Sequence, residues 1–183
     1  MLNPFAFFLE SSVLGKLVLL STFMLVVYFG VLRAGLSLAP WVPTHRKDLA
    51  RVKRICNLQP GQTYLEAGCG NARVIKYLAK EHPEVHFIGI EYSVIMVLWA
   101  KANAFLPNLK IKYGNVLESD FSEVDVVYAY GLTKTINEKL LPKAKAELSS
   151  GARFISYAFK IQDADVEIDE VTDSTKVYIY TQK

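Results

Sequence analysis

The sequence predicts an α/β fold, in which a doubly wound, mostly parallel seven-stranded sheet follows an N-terminal transmembrane helix. Apolar strand patterns alternate with helix patterns through most of the chain, which is typical of a parallel sheet with helices on both faces. Two further strand patterns close the chain without a helix between them, so an antiparallel hairpin is expected at one edge of the sheet. A run of about 20 apolar residues near the amino end has the length of a membrane-spanning helix.

The composition limits the classes of protein to consider. The chain has 183 residues, of which 51% are apolar, so a folded domain with a substantial core is expected rather than a disordered chain. The formal charge of +3 is too small to indicate nucleic-acid binding, and no RNA- or DNA-binding motif occurs. Cys56 and Cys69 have no histidine or cysteine at metal-ligand spacing, so both are predicted to be reduced thiols and no metal site is expected.

The amino-terminal segment, residues 1–38, is predicted to be a membrane anchor with a helix over about 13–34. The first 20 residues of that helix contain one charged side chain, Lys16, whose amine can reach the bilayer interface. A cleaved signal peptide is the alternative, but its basic start is missing and the apolar run is longer than usual. Positive charge follows the run, whereas only Glu10 precedes it. The positive-inside rule therefore predicts a single-pass protein with its N-terminus outside and its main domain, residues 39–183, on the cytoplasmic face, or on the matrix face in a mitochondrion.

The elements of the main domain follow in order. Two prolines predict an extended linker, and Leu49, Val52 and Ile55 then recur at helical spacing, with Thr44 placed to cap that helix. Strand patterns cover residues 63–67, 85–93, 108–116, 124–131 and 152–161, and the helix patterns between them cover 72–80, 94–105 and 138–148. Residues 163–183 contain the two closing strands and the turn between them.

The segment LEAGCGNA, residues 65–72, ends the first strand in a glycine turn. In a doubly wound sheet this turn lies at the carboxyl ends of the strands, where ligands bind. Gly68 and Gly70 allow the backbone to approach a ligand closely. A dinucleotide fingerprint would need a third glycine at Arg73, and Glu66 would repel a pyrophosphate but attract a cation. The turn is therefore better suited to S-adenosylmethionine, which carries ammonium and sulfonium charges and no phosphate.

This turn resembles the first motif of the class I (seven-β-strand) S-adenosylmethionine-dependent methyltransferases, in which an acidic residue precedes a G-x-G-x-G turn. The third glycine of the pattern is Ala72 in this chain. The resemblance extends over about 45–183 and implies a Rossmann-like methyltransferase fold with S-adenosyl-L-methionine as cofactor. It implies cofactor contacts for Glu66, Gly68, Cys69, Gly70 and Asn71.

Further positions match the same family. Glu91, followed by Tyr92, stands at the end of the second strand, where the family's acidic residue binds the ribose hydroxyls. Asn115, followed by Val116, stands where the family usually has an aspartate facing the adenine amino group, and an amide oxygen can accept the same hydrogen bond. Tyr130 ends the fourth strand, where these enzymes present the target nitrogen to the methyl group. The resemblance therefore implies that Tyr130 is the catalytic residue.

Segments outside the core motif, residues 41–44 and 139–159, resemble the membrane-anchored protein-lysine methyltransferases of mitochondria and their prokaryotic relatives. This resemblance places Thr44 in a segment that closes over the cofactor, so a helix cap and a cofactor contact both remain open for it. It also implies N-methylation of a lysine of a membrane protein, with the bilayer as a partner. Two alternatives remain open: methylation of a lipid or quinone, and a non-catalytic membrane scaffold that binds the cofactor.

Overall fold

The computed structural model describes residues 13–35, 43–171 and 174–183. Contacts divide the chain into two compact units, Met1–Ser37 and Leu38–Lys183. The first unit contains helix α1 (Val13–Gly35), and the second contains the sheet and its helices. The predicted boundary between residues 38 and 39 lies outside the described residues.

The prediction of a transmembrane anchor was wrong. In the described part of the chain, no helix combines the length and the apolar character needed to cross a membrane, which also overturns the predicted single-pass localisation on a cytoplasmic or matrix face. The positions of the charges give the physical reason. Lys16 and Arg33 both fall within α1 and leave 16 uncharged residues between them. At 1.5 Å per residue this stretch covers about 24 Å, whereas the hydrocarbon core of a bilayer is about 30 Å thick.

The second unit is built on a seven-stranded sheet. Its strands are β1 (Thr63–Ala67), β2 (His86–Glu91), β3 (Leu109–Tyr113), β4 (Val126–Ala129), β5 (Arg153–Tyr157), β6 (Val166–Asp169) and β7 (Val177–Thr181). The strand order is β3-β2-β1-β4-β5-β7-β6, with β1 to β5 parallel and β7 antiparallel to both of its neighbours. The predicted seven-stranded, mostly parallel sheet with a closing hairpin is therefore confirmed.

Helices cover both faces of this sheet. They are α2 (Leu49–Cys56), which follows a 3-10 turn at Arg46–Asp48, then α3 (Arg73–Glu81), α4 (Val94–Asn103), α5 (Thr133–Thr135) and α6 (Leu141–Glu147), with a π-helical turn at Ile136–Leu140 between the last two. Helices α2, α3 and α4 pack with one core, and the π turn and α6 pack with the other. Doubly wound packing of this kind opens a crevice at the carboxyl ends of the central strands.

Strand β1 is at the centre of the sheet and is buried on both faces, so apolar side chains from this strand enter both cores. Tyr64 belongs to the core that contains α2 to α4, and Leu65 belongs to the opposite core. Glu66 follows in the alternation, so its carboxylate lies on the face of Tyr64. The outer strand β3 instead exposes Lys110 and Lys112, which discourage pairing with another chain.

Arginine side chains hold α2 against the sheet. The guanidinium of Arg153 on β5 donates to the carbonyls of Ile55, Cys56 and Asn57 at the carboxyl end of α2, where cations are favoured. Arg51 donates to Asp169 at 2.6 Å. These contacts fix α2 against the amino end of β5 and against Asp169 of β6.

Candidate active site

The glycine turn follows β1 and lies against the end of β2. Gly68 (φ 76°) and Gly70 (φ 52°) adopt left-handed backbone conformations, which favour glycine. The N–H groups of Gly68 and Cys69 both donate to the carbonyl of Ile90, at 2.9 and 3.0 Å. Asn71 continues the turn and is half-buried. Cys69 is buried and burial raises the pKa of its thiol, so its contribution to the turn is packing and backbone geometry.

Ala72 takes the left-handed conformation (φ 60°, ψ 30°) at the position of the family's third glycine, immediately before α3. A Cβ atom makes this conformation unfavourable by about 1–2 kcal/mol. We expect Ala72→Gly to raise the thermal midpoint by about 3 °C, in line with about 1 kcal/mol of relieved strain. Ala79→Gly is the matched control, because Ala79 is equally buried but lies inside α3, where glycine is unfavourable, and its midpoint should fall. A fall in both variants would contradict the assignment of strain to Ala72.

Glu66 is a buried acid directly before the turn. It is 6% exposed, and among the described residues its Oε2 atom has no hydrogen-bond partner. Burial raises the pKa of Glu66 to about 8; the Ile75 backbone amide opposes this rise, and the charge of Glu91 adds to it. A buried carboxylate oxygen without a hydrogen-bond partner lowers the stability of a folded protein. Glu66 therefore has an acceptor available for a cationic or hydrogen-bonding ligand.

Glu91, at the end of β2, is oriented by two backbone amides. Its Oε2 accepts from Gly70 N–H at 2.9 Å and its Oε1 accepts from Ser93 N–H at 2.7 Å. Each carboxylate oxygen has two acceptor positions, so both oxygens can still accept from a ligand. Tyr92 is half-buried and its ring stacks on Tyr113 at 6.1 Å. The structure thus brings the glycine turn and Glu91 together.

Asn115 lies next to this pair, because Gly114 N–H donates to the Glu91 carbonyl at 3.0 Å. Its Oδ1 accepts from Leu117 N–H and its Nδ2 donates to Glu118, both at 3.1 Å. The side chain therefore caps the short 3-10 helix Val116–Glu118. Val116 itself is buried in the core, so only its backbone can reach a ligand.

Thr44 is buried at the carboxyl ends of the strands and caps no helix. Its Oγ1 shares a hydrogen bond of 3.2 Å with the hydroxyl of Tyr128 on β4, and its carbonyl accepts from Arg73 at 3.1 Å. The 3-10 turn is capped by His45 instead, without a side-chain bond. The neighbouring residues of the predicted motif, Trp41 and Val42, lie outside the described residues. Arg73, which the sequence suggested only as a helix start, therefore joins Thr44 to the turn.

Tyr130 follows β4 and forms an aromatic wall with Tyr157 and Phe159. Its ring meets Tyr157 edge-on at 4.9 Å and 76°, and Phe159 at 5.7 Å and 41°. Tyr130 is half-buried, and burial raises the pKa of its hydroxyl. Because β1 and β4 are neighbours in register, with Ala67 beside Ala129, the wall stands next to the glycine turn.

Comparison with known proteins identifies the family. Residues 66–168 match the ANTKMT methyltransferase domain, which is more than half of the chain. The chain belongs to this family. It is 30% identical over 149 residues to a protein-lysine N-methyltransferase of Saccharolobus islandicus, an alignment that covers 77% of this chain and 92% of the relative. The predicted class I methyltransferase identity is thus confirmed, and the protein is an S-adenosylmethionine-dependent methyltransferase.

Solved structures agree with this assignment. An RNA methyltransferase from Salinibacter ruber in complex with S-adenosyl-L-homocysteine is 26% identical, with a TM-score of 0.70, and the match covers 76% of this chain and 93% of the other. An O-methyltransferase from Thermotoga maritima is 14% identical, with a TM-score of 0.64 over 78% of this chain and 67% of the other, and shows the fold alone.

The residues present fit S-adenosylmethionine. The unpaired Oε2 of Glu66 offers an acceptor to a cationic ligand, and the turn at Gly68 and Gly70 lets the backbone approach that ligand closely, because no side chain intervenes. Two carboxylates in adjacent positions favour a ligand that is cationic and lacks phosphate. In the stretches that the structure describes, no group of His, Cys, Asp and Glu is arranged to hold a metal ion.

Proposed function

We propose that this enzyme N-methylates lysine side chains of protein substrates. The observation that carries the proposal is the aromatic wall of Tyr130, Tyr157 and Phe159 beside the glycine turn. A lysine side chain has a long apolar stem, which can pack against Tyr130 and Phe159, the two half-buried rings of this wall. The Saccharolobus islandicus relative, a protein-lysine N-methyltransferase, supports the same substrate class.

The wall also favours the chemistry that a lysine needs. An amine must lose its proton before its nitrogen can attack a methyl group, and a water-poor site lowers the pKa of an inserted amine. The same burial raises the pKa of Tyr130, so the wall already has this character. The bound cofactor supplies a methyl group on a positively charged sulfur. The chain's own contribution is then to align the acceptor nitrogen with that methyl group and to exclude water.

The cofactor contacts are part of this proposal. Glu66 and the turn at Gly68–Asn71 hold the amino-acid end of S-adenosylmethionine, with Glu66 facing its ammonium group. Glu91 accepts from the ribose hydroxyls, and its two backbone bonds keep the carboxylate in one orientation. Thr44 closes the site from the side of β4.

The test is methyl transfer from tritiated S-adenosylmethionine into total cell protein, with both soluble and membrane fractions supplied. We expect label in protein and its loss when substrate amines are first acetylated, because acetylation converts the amine to an amide whose nitrogen is not nucleophilic. Tyr130→Phe, which keeps the ring, should retain most of the rate. Tyr130→Ala should lower kcat by tenfold or more, while the Kd for S-adenosylmethionine stays within about twofold.

Matched extracts of lipid and RNA provide the control acceptors. Label that enters lipid or RNA, or that persists in acetylated protein, would contradict the lysine proposal. Cofactor binding without transfer to any fraction would contradict catalysis as well.

A further inference from the structure

A buried acid, Asp48, lies behind the aromatic wall and takes no part in the site described above. It is 3% exposed and ends the 3-10 turn Arg46–Asp48. Its Oδ2 accepts from the Tyr157 hydroxyl at 2.6 Å, and its Oδ1 accepts from the Ser174 hydroxyl at 3.0 Å. Burial opposes ionisation, but these two bonds and the charge of Arg51 hold the pKa of Asp48 below its usual value. Tyr157 therefore donates to a carboxylate, which makes a short and directional bond.

Tyr157 cannot contact a substrate, because its side chain is completely buried. What it does contact is Tyr130. Strands β4 and β5 pair Ala129 with Ser156, so the next residues, Tyr130 and Tyr157, stand side by side on the same face. The two ring centroids are 4.9 Å apart in an edge-to-face arrangement. Such pairs contribute about 0.5–1.5 kcal/mol and have a preferred geometry.

Tyr130 lies just beyond the end of β4, where the strand's hydrogen bonds no longer hold the backbone. Its ring is therefore fixed chiefly by the neighbouring rings. A Tyr157 ring that is anchored at its hydroxyl presents one edge to Tyr130, whereas an unanchored ring could shift away from it. A displacement of about 1 Å in a group that aligns reactants can cost on the order of 100-fold in rate.

We propose that Asp48 and Tyr157 are positioning residues, in which Asp48 holds the Tyr157 hydroxyl and the fixed Tyr157 ring holds Tyr130 against the acceptor. This inference rests on the proposed function of Tyr130 at the acceptor side of the site. It assigns the pair an effect on the alignment of the acceptor, and none on the binding of the cofactor.

The first experiment compares Tyr157→Phe with Tyr180→Phe in the full-length enzyme. The Tyr180 hydroxyl bonds Gln182 at 3.0 Å and its ring lies in the opposite core, so the same chemical change is made away from the site. We expect Tyr157→Phe to lower kcat about tenfold with the KM for S-adenosylmethionine within twofold, and Tyr180→Phe to match wild type. Asp48→Asn keeps an oxygen that can accept from Tyr157 and should lose less than Tyr157→Phe. An unchanged kcat in Tyr157→Phe, or an equal loss of kcat in Tyr180→Phe, would overturn the positioning role of Asp48 and Tyr157.

A double-mutant cycle separates positioning from a general structural effect. In a Tyr130→Ala background, Tyr157→Phe should cause no further loss of kcat, because the ring that it positions is gone. Full additivity of the two losses would show that Tyr157 acts independently of Tyr130 and would overturn the inference.

A spectroscopic experiment needs no methyl-acceptor substrate, so it tests this inference separately from the proposed function. With 3-fluorotyrosine at position 130, we expect one narrow fluorine resonance in the wild-type background and a shifted or broadened one in Tyr157→Phe. If methyl label enters lipid instead of lysine, the proposed function fails. The fluorine spectrum still tests whether Asp48 and Tyr157 position Tyr130. An identical resonance in both proteins would overturn the positioning role.

Discussion

We expect Glu66→Gln to weaken S-adenosylmethionine binding by about 100-fold. The substitution keeps the shape of the side chain but removes the charge that faces the cationic ligand. A hydrogen bond to a charged group is typically worth about 1.5–3 kcal/mol, and each 1.4 kcal/mol changes Kd tenfold. Glu66 fulfils the conditions for the larger figure, since it is buried and its Oε2 atom has no partner within the described residues.

The binding should also depend on pH. Burial raises the pKa of Glu66 to about 8, so the ligand-free enzyme holds a proton on this carboxyl at neutral pH. A cationic ligand favours the carboxylate, and binding then releases the proton. Affinity should therefore rise by up to about tenfold per pH unit between roughly pH 6 and 8, and stop rising above that range, where the ligand's own α-amino group loses its charge. The stability of the ligand-free enzyme changes in the opposite direction: the contribution of the raised pKa is present below the ordinary pKa of a glutamate and is lost as the pH rises through 8.

Isothermal calorimetry at pH 7 in two buffers of different ionisation enthalpy measures the released proton. The ligand's own α-amino group titrates near pH 8 as well, so the decisive quantity is the difference between wild type and Glu66→Gln. The exposed Glu123→Gln serves as the matched control and should behave as wild type. Equal proton release and equal Kd in wild type and Glu66→Gln would show that Glu66 does not face the ligand.

Local patterns explain why the sheet and part of the site could be predicted from the sequence. Strand β1 was predicted over the residues that form it, because a buried parallel strand produces an apolar run that ends in a glycine turn. Glu66 is expected as a ligand contact from its place before the glycine turn, and Glu91 from the resemblance to the methyltransferase family; both roles stay predictions. Parallel neighbours bring strand ends together at the same edge of the sheet, and the register pairs Ala67 with Ile90.

Long-range contacts account for much of what the sequence did not reveal. Thr44 bonds Tyr128, which is 84 residues away, and Asp48 bonds Tyr157, which is 109 residues away. No periodicity or spacing rule connects such positions, so Thr44 was predicted equally as a helix cap. The error over α1 has another origin: the run counts as about 20 apolar residues only if Lys16 reaches the bilayer interface, whereas Lys16 and Arg33 leave 16 uncharged residues between them.

Gly89 is a residue whose role can be read from the sequence, since a glycine inside a strand often marks a close approach of another group. It lies in β2 beside Glu66. A Cβ atom at this position would stand 2.8 Å from Cδ1 of Ile111 and 2.9 Å from Sγ of Cys69. Both distances are shorter than van der Waals contact. The absence of a side chain at Gly89 therefore leaves room for Cys69, and with it for the glycine turn.

We expect Gly89→Ala to destabilise the enzyme by about 2 kcal/mol, to lower its thermal midpoint by about 5 °C and to weaken S-adenosylmethionine binding more than tenfold. The two contacts should respond differently. The Cδ1 atom of Ile111 can rotate away, whereas Cys69 belongs to a turn whose amides are bonded to the Ile90 carbonyl. A second substitution of Cys69→Ala removes the Sγ contact and leaves the Cβ atom of residue 69 at 3.2 Å, so it should restore most of the cofactor affinity. Ile111→Val should restore only part of the stability.

Gly114→Ala is the matched control for this prediction, because a Cβ atom at Gly114 meets nothing within 4 Å and its thermal midpoint should stay near that of wild type. Calorimetry and thermal unfolding are then measured on Gly89→Ala alone and on its combinations with Cys69→Ala and with Ile111→Val. The comparison separates an effect on the glycine turn from an effect on the rest of the core. Recovery of affinity by Ile111→Val, with no recovery by Cys69→Ala, would mean that the clash acts through β3 and that Cys69 does not hold the turn. Recovery by Cys69→Ala would instead assign this buried thiol its role: a close-packed support against β2 that keeps the ligand-facing backbone of the turn in place.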